Sequence, residues 1–288
     1  MLKTFSDKAV KFKALQAFAY VVQNGTREES EHALASLVAS PLFASKGWQQ
    51  SFSKLQTMMR GGLPQFAIFA LAGNVKLPFV AFSSLPAVTC PGAGECLSFC
   101  YSFSAWRYPA AFARQLQNAY LMRHNPDAIV NAWQALPIGE GFDFRLYVDG
   151  DFASVADVAF WFGIIGSTPK VRAYGYSKSF EELTRYADNG GMLPSNYMLN
   201  ISSGHKHDAE MVRRARALSI TRGEFITVNI GRKIKNSEHG TKAVNDAIRA
   251  ASPVKVFPCP GKCGACTGAG HACGLPQMKG RVIAIAVH

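Results

Sequence analysis

From residue 79 onward the chain alternates short apolar runs with segments of helical periodicity, and this alternation constrains the fold more than any other feature. Six apolar runs each lead into a helix or a loop, and a seventh closes the chain: FVAFSS, FDFRLYVDGD, VRAYGYSK, YMLNISSG, EFITVNIGR, VKVFP and RVIAIAV. Capping patterns mark two helix starts, Ser154 with Asp157 and Ser179 with Glu182. Repeated strand–helix units demand a mostly parallel sheet with right-handed crossovers. We therefore predict an α/β fold, either an open doubly wound sheet or an incomplete (β/α)6 parallel barrel.

The beginning of the chain lacks this alternation. Residues up to 62 show a helical pattern, with turn signals at NGT and GG and with apolar residues at helical spacing in EHALASLVASPLF. We predict an N-terminal helical segment over residues 1–62 and an α/β domain over residues 63–288.

Polar side chains gather where the predicted strands end. They are Asp149 and Asp151; Tyr174, Tyr176, Ser177 and Lys178; Asn200, Ser202, Ser203, His205 and His207; Asn229, Arg232 and Lys233. In parallel sheets and barrels the working site lies at the carboxyl ends of the strands. We expect these residues to lie along one edge of the sheet.

Four of these polar residues are candidates for catalysis or cofactor binding. Asp149 and Asp151 alternate along the predicted strand and so face one side, which suits metal ligation or proton transfer; a solvated turn explains them equally well. Lys178 is placed to contact a phosphate, or it simply precedes the next helix. We predict catalytic roles for Asp149, Asp151 and Lys178, and cofactor binding by Ser202.

All seven cysteines lie in two short segments, each following a predicted strand. The first segment contains Cys90, Cys96 and Cys100, and the second contains Cys259, Cys263, Cys266 and Cys273. Ordinary buried cysteines would be scattered through the strands, and the odd number of thiols disfavours disulfides. The pattern predicts that all seven cysteines bind metal.

Iron–sulfur clusters fit the cysteine spacing better than zinc does. The second segment reads C-x3-C-x2-C-x6-C, with a single C-x2-C knuckle where structural zinc often uses two. Its four thiolates would saturate one cluster, whereas the first segment would leave one iron without a cysteine ligand. We predict one or two [4Fe–4S] clusters, with zinc as the alternative. Candidates for the open iron are Asp149, Asp151, His205 and His207, and His271 is expected beside the ligands or in solvent.

The chain carries a net charge of +12. Such an excess favours a polyanionic partner, nucleic acid first, although a solubility charge without a partner also explains it. The basic residues partly cluster, at Lys3, Lys8, Lys11 and Lys13; at Arg213, Arg214 and Arg216; and at Arg232, Lys233, Lys235 and Lys242. The aromatic run in residues 101–108 would stack on exposed bases or pack at a helix start, and we favour packing.

We expect a cytoplasmic protein without membrane association. The longest apolar run, VADVAFWFGIIG, is too short for a membrane span and contains Asp157. The first residues read as an amphipathic helix rather than as an export or transit peptide. In the cytoplasm thiols stay reduced, and clustered cysteines then bind metal more often than they form disulfides.

The three-cysteine loop after the first strand resembles that of the radical S-adenosylmethionine superfamily. There, three cysteines hold a cluster whose open iron binds S-adenosylmethionine, an aromatic residue precedes the last cysteine, and a turn after the second strand binds the cofactor amine. The resemblance implies these roles for Phe99, which precedes Cys100, and for Asp149 and Asp151. It also implies an auxiliary cluster at the second segment. The superfamily spacing is C-x3-C-x2-C, and this chain has C-x5-C-x3-C.

A second resemblance rests on several motifs taken together: CPGAGECLSFCY, YVDGDF, YGYSKS and the terminal C-x3-C-x2-C set. Over roughly residues 80 to 275 they resemble the phage and plasmid family called gene product eighty-eight. This resemblance implies a protein of a mobile element that acts in a bacterial cytoplasm, and it implies little about the reaction.

These patterns lead to one leading hypothesis and two alternatives. The leading hypothesis is an iron–sulfur protein on a barrel like that of radical S-adenosylmethionine enzymes, acting on or with nucleic acid; whether it is an enzyme stays open. The first alternative is a non-enzymatic nucleic-acid-binding or regulatory protein whose clusters brace the fold or sense redox state. The longer cysteine spacing and the basic charge favour this alternative. The second alternative is a zinc-stapled structural protein.

Overall fold

The chain forms two compact units in the computed structural model, which describes residues 2–71, 79–264, 266–267 and 270–287. The side chains of residues 2–7, 99 and 236 are outside this description. A helical unit comprises residues 1–69, 83–89 and 100–136, and an α/β unit comprises residues 70–82, 90–99 and 137–288. The helical unit therefore contains the expected N-terminal helices together with a later stretch of the chain.

Helices build most of the helical unit. Its α-helices are α1 (Leu2–Asn24), α2 (Arg27–Ala39), α3 (Lys46–Gly61), α4 (Pro109–His124) and α5 (Pro126–Gln134), and its short 3-10 helices are Pro41–Phe43 and Tyr101–Arg107. Prolines occupy the first turns of α4 and α5, where an amide hydrogen would have no intrahelical acceptor. Among the described residues, no helix is both long enough and apolar enough to cross a membrane.

Aromatic side chains fill much of the core of the helical unit. Phe43, Trp48 and Phe52 pack with ring centroids 5.2 to 5.4 Å apart. Trp106 packs edge to face on Phe112 at 5.0 Å, and it is almost fully buried. The packing interpretation of the aromatic run after the first cysteine segment is confirmed for this tryptophan.

A single parallel sheet of seven strands organises the described part of the α/β unit, in the order β1-β2-β3-β4-β5-β7-β6. The strands are β1 (Val80–Ala81), β2 (Asp143–Leu146), β3 (Arg172–Ser177), β4 (Tyr197–Ser202), β5 (Thr221–Val228), β6 (Val256–Pro258) and β7 (Val282–Ala286). The α-helices are α6 (Val155–Gly166), α7 (Phe180–Asp188), α8 (Ala209–Ala217) and α9 (Lys242–Ala251). The predicted parallel α/β architecture is confirmed, and closure into a barrel stays a prediction.

The last strand, β7, enters the sheet between β5 and β6. Ile283 of β7 lies opposite Phe225 of β5 on one side and Phe257 of β6 on the other. A strand flanked on both sides pairs its backbone groups on both edges, which suits the continuous apolar run of β7.

One predicted helix cap forms and the other does not. The hydroxyl of Ser154 accepts a hydrogen bond from the amide of Asp157 at 3.2 Å, as predicted for the start of α6. Ser179 makes no side-chain capping bond to α7 among the described residues, so that prediction is wrong. Its backbone is not extended, as a capping residue normally is, and its amide donates to the hydroxyl of Ser177 at 3.0 Å.

The two faces of the sheet are covered by different parts of the chain. Successive side chains on a strand point to opposite faces, so alternate residues belong to different cores. On one face Val228 and Ala284 pack with residues of α9, and Ile201 packs with residues of α7 and α8. From the other face Tyr174, Tyr176, Met198, Phe225 and Ile283 project against the second cysteine segment. The sheet thus offers one face to helices and the other to cysteines.

Candidate metal centre

The second cysteine segment folds back on itself directly after β6. The amide of Cys259 donates to the carbonyl oxygen of Ala284 at 2.7 Å, which anchors the start of the segment on β7. Thr267 and Gly270 exchange backbone hydrogen bonds at 3.0 and 3.2 Å, and Gly270 has a φ of 119°, a conformation that glycine adopts readily. This turn returns the chain, so that a short 3-10 helix at Ala272–Gly274 carries Cys273 back to the other cysteines.

All four cysteines of the segment are free thiols in one cluster against the sheet. Burial, with smaller contributions from the nearby sulfurs of Cys263 and Cys266, raises the pKa of Cys259 to about 11. Burial likewise raises the pKa of Cys273 to about 12, with contributions from Cys259 and Cys263. Mutual electrostatic effects of this kind require that the sulfurs lie near one another.

Hydrogen-bond donors lie beside three of these sulfurs. The amide of Ala272 donates to Sγ of Cys266 at 3.1 Å, and the hydroxyl of Tyr176 lies beside Cys273 and lowers the pKa of its thiol. The hydroxyl of Tyr174 is buried beside Cys263 and finds no acceptor of normal geometry within the described chain. Donors aimed at sulfur stabilise thiolates over thiols and tune the metal centres that thiolates hold.

Two arginines add positive charge beside the thiols. Arg222 is fully buried, and its charge lowers the pKa of Cys273. The guanidinium of Arg145 lies over the ring of Tyr176, 4.8 Å from its centroid, and its charge lowers the pKa of Cys259. The two cysteines whose pKa values burial raises each have an arginine that opposes the effect.

These features fit a thiolate-ligated, negatively charged centre. The segment supplies four thiols and an amide donor, and the sheet supplies the hydroxyl of Tyr174 and two cations. In the part of the chain that the structure describes, no three or more cysteine, histidine or acidic side chains are grouped tightly enough to hold a single metal ion.

His271 lies within the same apolar cluster rather than in solvent. Its ring packs 4.7 Å from that of Phe79 and 4.5 Å from that of Tyr174, and burial lowers its pKa. Nδ1 lies 3.9 Å from Oδ2 of Asp143. His271 therefore lines the surroundings of the cysteines, which is one of its two predicted placements.

The first cysteine segment packs on the loops that follow β3 and β4. Cys96 donates its amide to the carbonyl oxygen of Gly204 at 3.2 Å, and Ala93 forms a β-bridge with His205. Cys90 and Cys96 belong to the α/β unit, and Cys100 belongs to the helical unit. The segment carrying Cys90 and Cys96 thus lies at the carboxyl ends of the strands, as expected.

Asp151 supports the local fold rather than facing an open site. Its carboxylate is 4% exposed and accepts hydrogen bonds from the amide of Phe152, the hydroxyl of Ser177 and the amide of Lys178, at 2.9, 2.7 and 2.6 Å. Burial raises its pKa, and these hydrogen bonds oppose the shift. Since β2 ends at Leu146, Asp151 lies in the loop beyond it and not on a strand.

The other predicted site residues are only partly brought together. Asp149 lies half-buried in the same loop as Asp151, so strand alternation does not align the pair. Nζ of Lys178 donates to Oγ of Ser202 at 2.9 Å, which joins the ends of β3 and β4. Phe99 ends a 3-10 helix, and its side chain is outside the described residues.

The two histidines after β4 pack around Phe180. His207 stacks on Phe180 at 4.9 Å, its Nε2 hydrogen-bonds to the carbonyl oxygen of Lys178 at 2.7 Å, and its Nδ1 lies 3.6 Å from Glu181. His205 packs on the same ring at 5.0 Å. Each ring nitrogen of His207 thus has a partner. His205 and His207 together hold the loop against which the first cysteine segment packs.

A comparison with known protein families matches residues 50–275 to the family described as Gene product 88. The matched range spans most of the chain and includes all seven cysteines. The chain belongs to the Gene product 88 family. No curated protein and no solved structure matches it.

In this Gene product 88 protein, sequence reasoning missed the two arginines that face the second cysteine segment. Both stand next to or within strand patterns, Arg145 in FDFRLYV and Arg222 in TRGEF. A charged residue inside a predicted buried strand is the signal that would have found them, because such residues are rarely buried without a partner. The role of such a residue is clear only once the tertiary structure shows on which face of the sheet its side chain lies.

Proposed function

We propose that this Gene product 88 protein is an iron–sulfur protein that holds a [4Fe–4S] cluster on the face of its sheet. The ligands are the thiolates of Cys259, Cys263, Cys266 and Cys273. The observation that carries the proposal is the group of four free thiols, partly or fully buried against the sheet, with donors and cations beside it. The irregular C-x3-C-x2-C-x6-C spacing supports it further.

The residues around the thiols have separate parts in this proposal. The amide of Ala272 holds the sulfur of Cys266 by a hydrogen bond, the hydroxyl of Tyr176 lies beside Cys273, and the aromatic side chains exclude water. Arg145 and Arg222 offset negative charge. When bound, a [4Fe–4S] cluster supplies one-electron redox chemistry at a potential set by these surroundings.

Metal analysis of protein purified without oxygen tests the proposal. A C90S/C96S/C100S variant isolates the second segment, and we expect it to retain iron and acid-labile sulfide in equal amounts. Adding C263S to that variant is expected to abolish both. Zinc without iron or sulfide in the isolated segment would replace this proposal with the zinc-stapled alternative.

The first cysteine segment supports the more specific proposal of a radical S-adenosylmethionine enzyme. The segment follows the first strand of a parallel sheet, and Lys178 and Ser202 form a polar pair at the carboxyl ends of neighbouring strands. Within this proposal Asp149 and Ser202 remain candidates to contact the cofactor, and Asp151 is assigned a positioning role because its carboxylate already accepts three hydrogen bonds. Release of 5′-deoxyadenosine from S-adenosylmethionine by the reduced protein tests it. Intact clusters without that product would favour the non-enzymatic alternative.

A nucleic-acid partner is the second candidate function, and the loops after β4, β5 and β6 favour it. These loops carry exposed cations, Lys206, Lys233, Lys235 and Lys262. The chain has no acidic residue after Asp246. By contrast, Arg213, Arg214 and Arg216 each pair with an acidic side chain. The phosphate backbone of the bound nucleic acid would therefore lie along the carboxyl edge of the sheet. We propose that this binding takes place in the bacterial cytoplasm.

Salt-dependent binding tests the nucleic-acid proposal. We expect the affinity for mixed-sequence DNA or RNA to fall steeply with salt, with a slope of roughly −0.7 to −0.9 per neutralised phosphate. The K233E/K235E variant should bind more weakly and with a shallower slope. K255E is the matched control, because Lys255 is exposed at the amino end of β6. Equal losses in both variants would contradict the assignment of this edge.

A further inference from the structure

Arg222 is a fully buried arginine whose hydrogen bonds all go to neutral oxygens. Nε donates to Oδ1 of Asn200 at 2.6 Å, and Nη1 donates to the carbonyl oxygens of Met278 and Arg281 at 2.9 and 2.8 Å. Nη2 donates to the carbonyl oxygen of Glu224 at 3.1 Å. These hydrogen bonds satisfy the guanidinium donors, but no carboxylate among the described residues pairs with its charge.

A buried guanidinium needs a negative charge nearby, because it stays protonated under all ordinary conditions and is costly to remove from water. Burial lowers the pKa of Arg222, whereas Cys273 and Tyr176 favour its charged form. Asn200 accepts a hydrogen bond from Arg222 and donates one to the backbone of Cys273, so the fold places Cys273 close to the buried guanidinium. A metal-bound thiolate of Cys273 is the negative charge that this arrangement brings to Arg222.

The same arginine also positions Cys273 mechanically. Asn200 receives the Nε hydrogen bond of Arg222 and in turn donates to the carbonyl oxygen of Cys273 at 3.0 Å. Met278 and Arg281, which Nη1 contacts, lie on the chain between Cys273 and β7. One side chain therefore holds the chain at Cys273, through Asn200, and again in the residues that follow it.

We infer that Arg222 positions Cys273 and balances its charge, so that the site selects a centre with net negative charge and favours the reduced state of that centre. The inference rests on the proposed function, because it concerns the same four thiols. Arg145 balances charge at Cys259 in the same way but contributes less, because it is only half-buried.

The electrostatic consequence follows from the charge balance of reduction. The centre takes up one electron from an external donor, here dithionite, and becomes more negative by one charge, while no bond to the protein forms or breaks. A fixed cation stabilises the more negative state more strongly. Removing that cation must therefore lower the reduction potential, whereas removing only a packing interaction need not change it.

Redox titration of the R222M and R222K proteins tests the inference, with R249M as an exposed control. We expect R222M to lower the ratio of reduced to oxidised centre at fixed potential at least tenfold, a shift of about 59 mV for one electron. R222K, which keeps the charge, should change the ratio less than threefold even if it melts at a lower temperature. R145M, at a half-buried position, should shift the ratio in the same direction as R222M and keeps the test open if R222M does not fold.

The outcomes separate this inference from the iron–sulfur proposal. Equal loss of melting temperature in R222M and R222K with an unchanged potential in R222M and R145M would overturn the inference and leave the cluster in place. If the wild-type segment holds zinc, the cluster and the redox part of the inference are overturned. Chelator competition that shows at least tenfold weaker zinc binding in R222M than in R222K would then support the charge-balancing part alone, and equal binding would overturn that part too. A wild-type protein that binds no metal overturns both.

Discussion

The side chain of Asn200 joins Arg222 to Cys273. Its oxygen accepts a hydrogen bond from Nε of Arg222 at 2.6 Å, and its nitrogen donates to the carbonyl oxygen of Cys273 at 3.0 Å and to that of Gly175 at 3.0 Å. Asn200 is fully buried on β4, on the sheet face that carries the cysteines. A single amide thus links a strand, a buried cation and the backbone of a predicted metal ligand.

Replacing this amide with an apolar side chain of similar size should destabilise the α/β unit. N200L removes the hydrogen bond that Nε of Arg222 donates and the bonds to the carbonyl oxygens of Gly175 and Cys273, and a buried unsatisfied group costs about 1–3 kcal/mol, more when it is charged. We expect the free energy of unfolding in urea to fall by about 3 kcal/mol. N189A, at an exposed asparagine that ends α7, is the control and should change it by less than about 0.5 kcal/mol. Equal stability of N200L and wild type would show that the network is dispensable.

The first cysteine segment should require glycine at position 92. A Cβ atom on Gly92 would overlap the carbonyl oxygen of Lys178 and lie 2.7 Å from Nε2 of His207. We expect G92A to lower the free energy of unfolding by about 2 kcal/mol and to make the segment more sensitive to limited proteolysis. G139A is the matched control, because nothing lies within 4 Å of a Cβ atom at Gly139. A G92A protein as stable and protease-resistant as G139A would refute this close packing.

Asp151 should make stability depend on pH in a definite direction. Burial raises the pKa of its carboxyl group in the folded protein. The folded state therefore binds the proton more tightly than the unfolded state does. This contribution is fully present below the unfolded pKa of about 3.9 and is lost as pH rises through the folded pKa.

The D151N variant removes that titration. Urea unfolding at several pH values should show that the stability of wild type relative to D151N declines as pH rises from about 4 toward neutrality. D151N should also be less stable at every pH, because an amide cannot accept all the hydrogen bonds that the carboxylate accepts. D127N, at an exposed position in α5, should show neither effect. A constant difference between wild type and D151N would contradict the raised pKa.

Gln117 should be important to the helical unit. Its buried side chain accepts from the amides of Gln65 and Phe66 at 2.7 and 2.9 Å and donates to the carbonyl oxygen of Phe66 at 2.9 Å. We expect Q117L to lower the free energy of unfolding by about 3 kcal/mol and to speed hydrogen exchange at those two amides. Q134L, at an exposed glutamine in α5, should do neither. Unchanged exchange at Gln65 and Phe66 in Q117L would rule out this anchoring role.

Local sequence patterns were enough to predict the elements of the α/β unit. Alternating apolar runs and helix-start signals predicted a parallel sheet, and capping by Ser154 was correct because it depends on residues within one turn. Ser179 shares the pattern but does not cap, because a hydrogen bond between its amide and Ser177 gives its backbone another conformation. A capping motif within one turn is thus overridden when a neighbouring side chain competes for the same backbone amide, here the hydroxyl of Ser177, which itself donates to the distant Asp151.

The candidate site was predictable only in part for a related reason. Grouping of the cysteines in two segments was visible in the chain, whereas the alignment of Asp149 with Asp151 assumed a strand that ends earlier, at Leu146. Asp151 then lies where amides and a hydroxyl from the next strand surround it. Whether a carboxylate faces a ligand or its own backbone depends on those neighbours, which are remote in sequence.

By itself the sequence determined the parallel α/β class, the helical start of the chain and the confinement of every thiol to two loops, because periodicity, capping and composition act over a few residues. Only the tertiary structure decided that β7 enters between β5 and β6, that residues 100–136 join the N-terminal helices in one unit, and that Arg222 is buried beside Cys273. These outcomes depend on which surfaces and backbone groups remain unpaired once the other elements have packed. That competition is a property of the whole chain and leaves no local pattern.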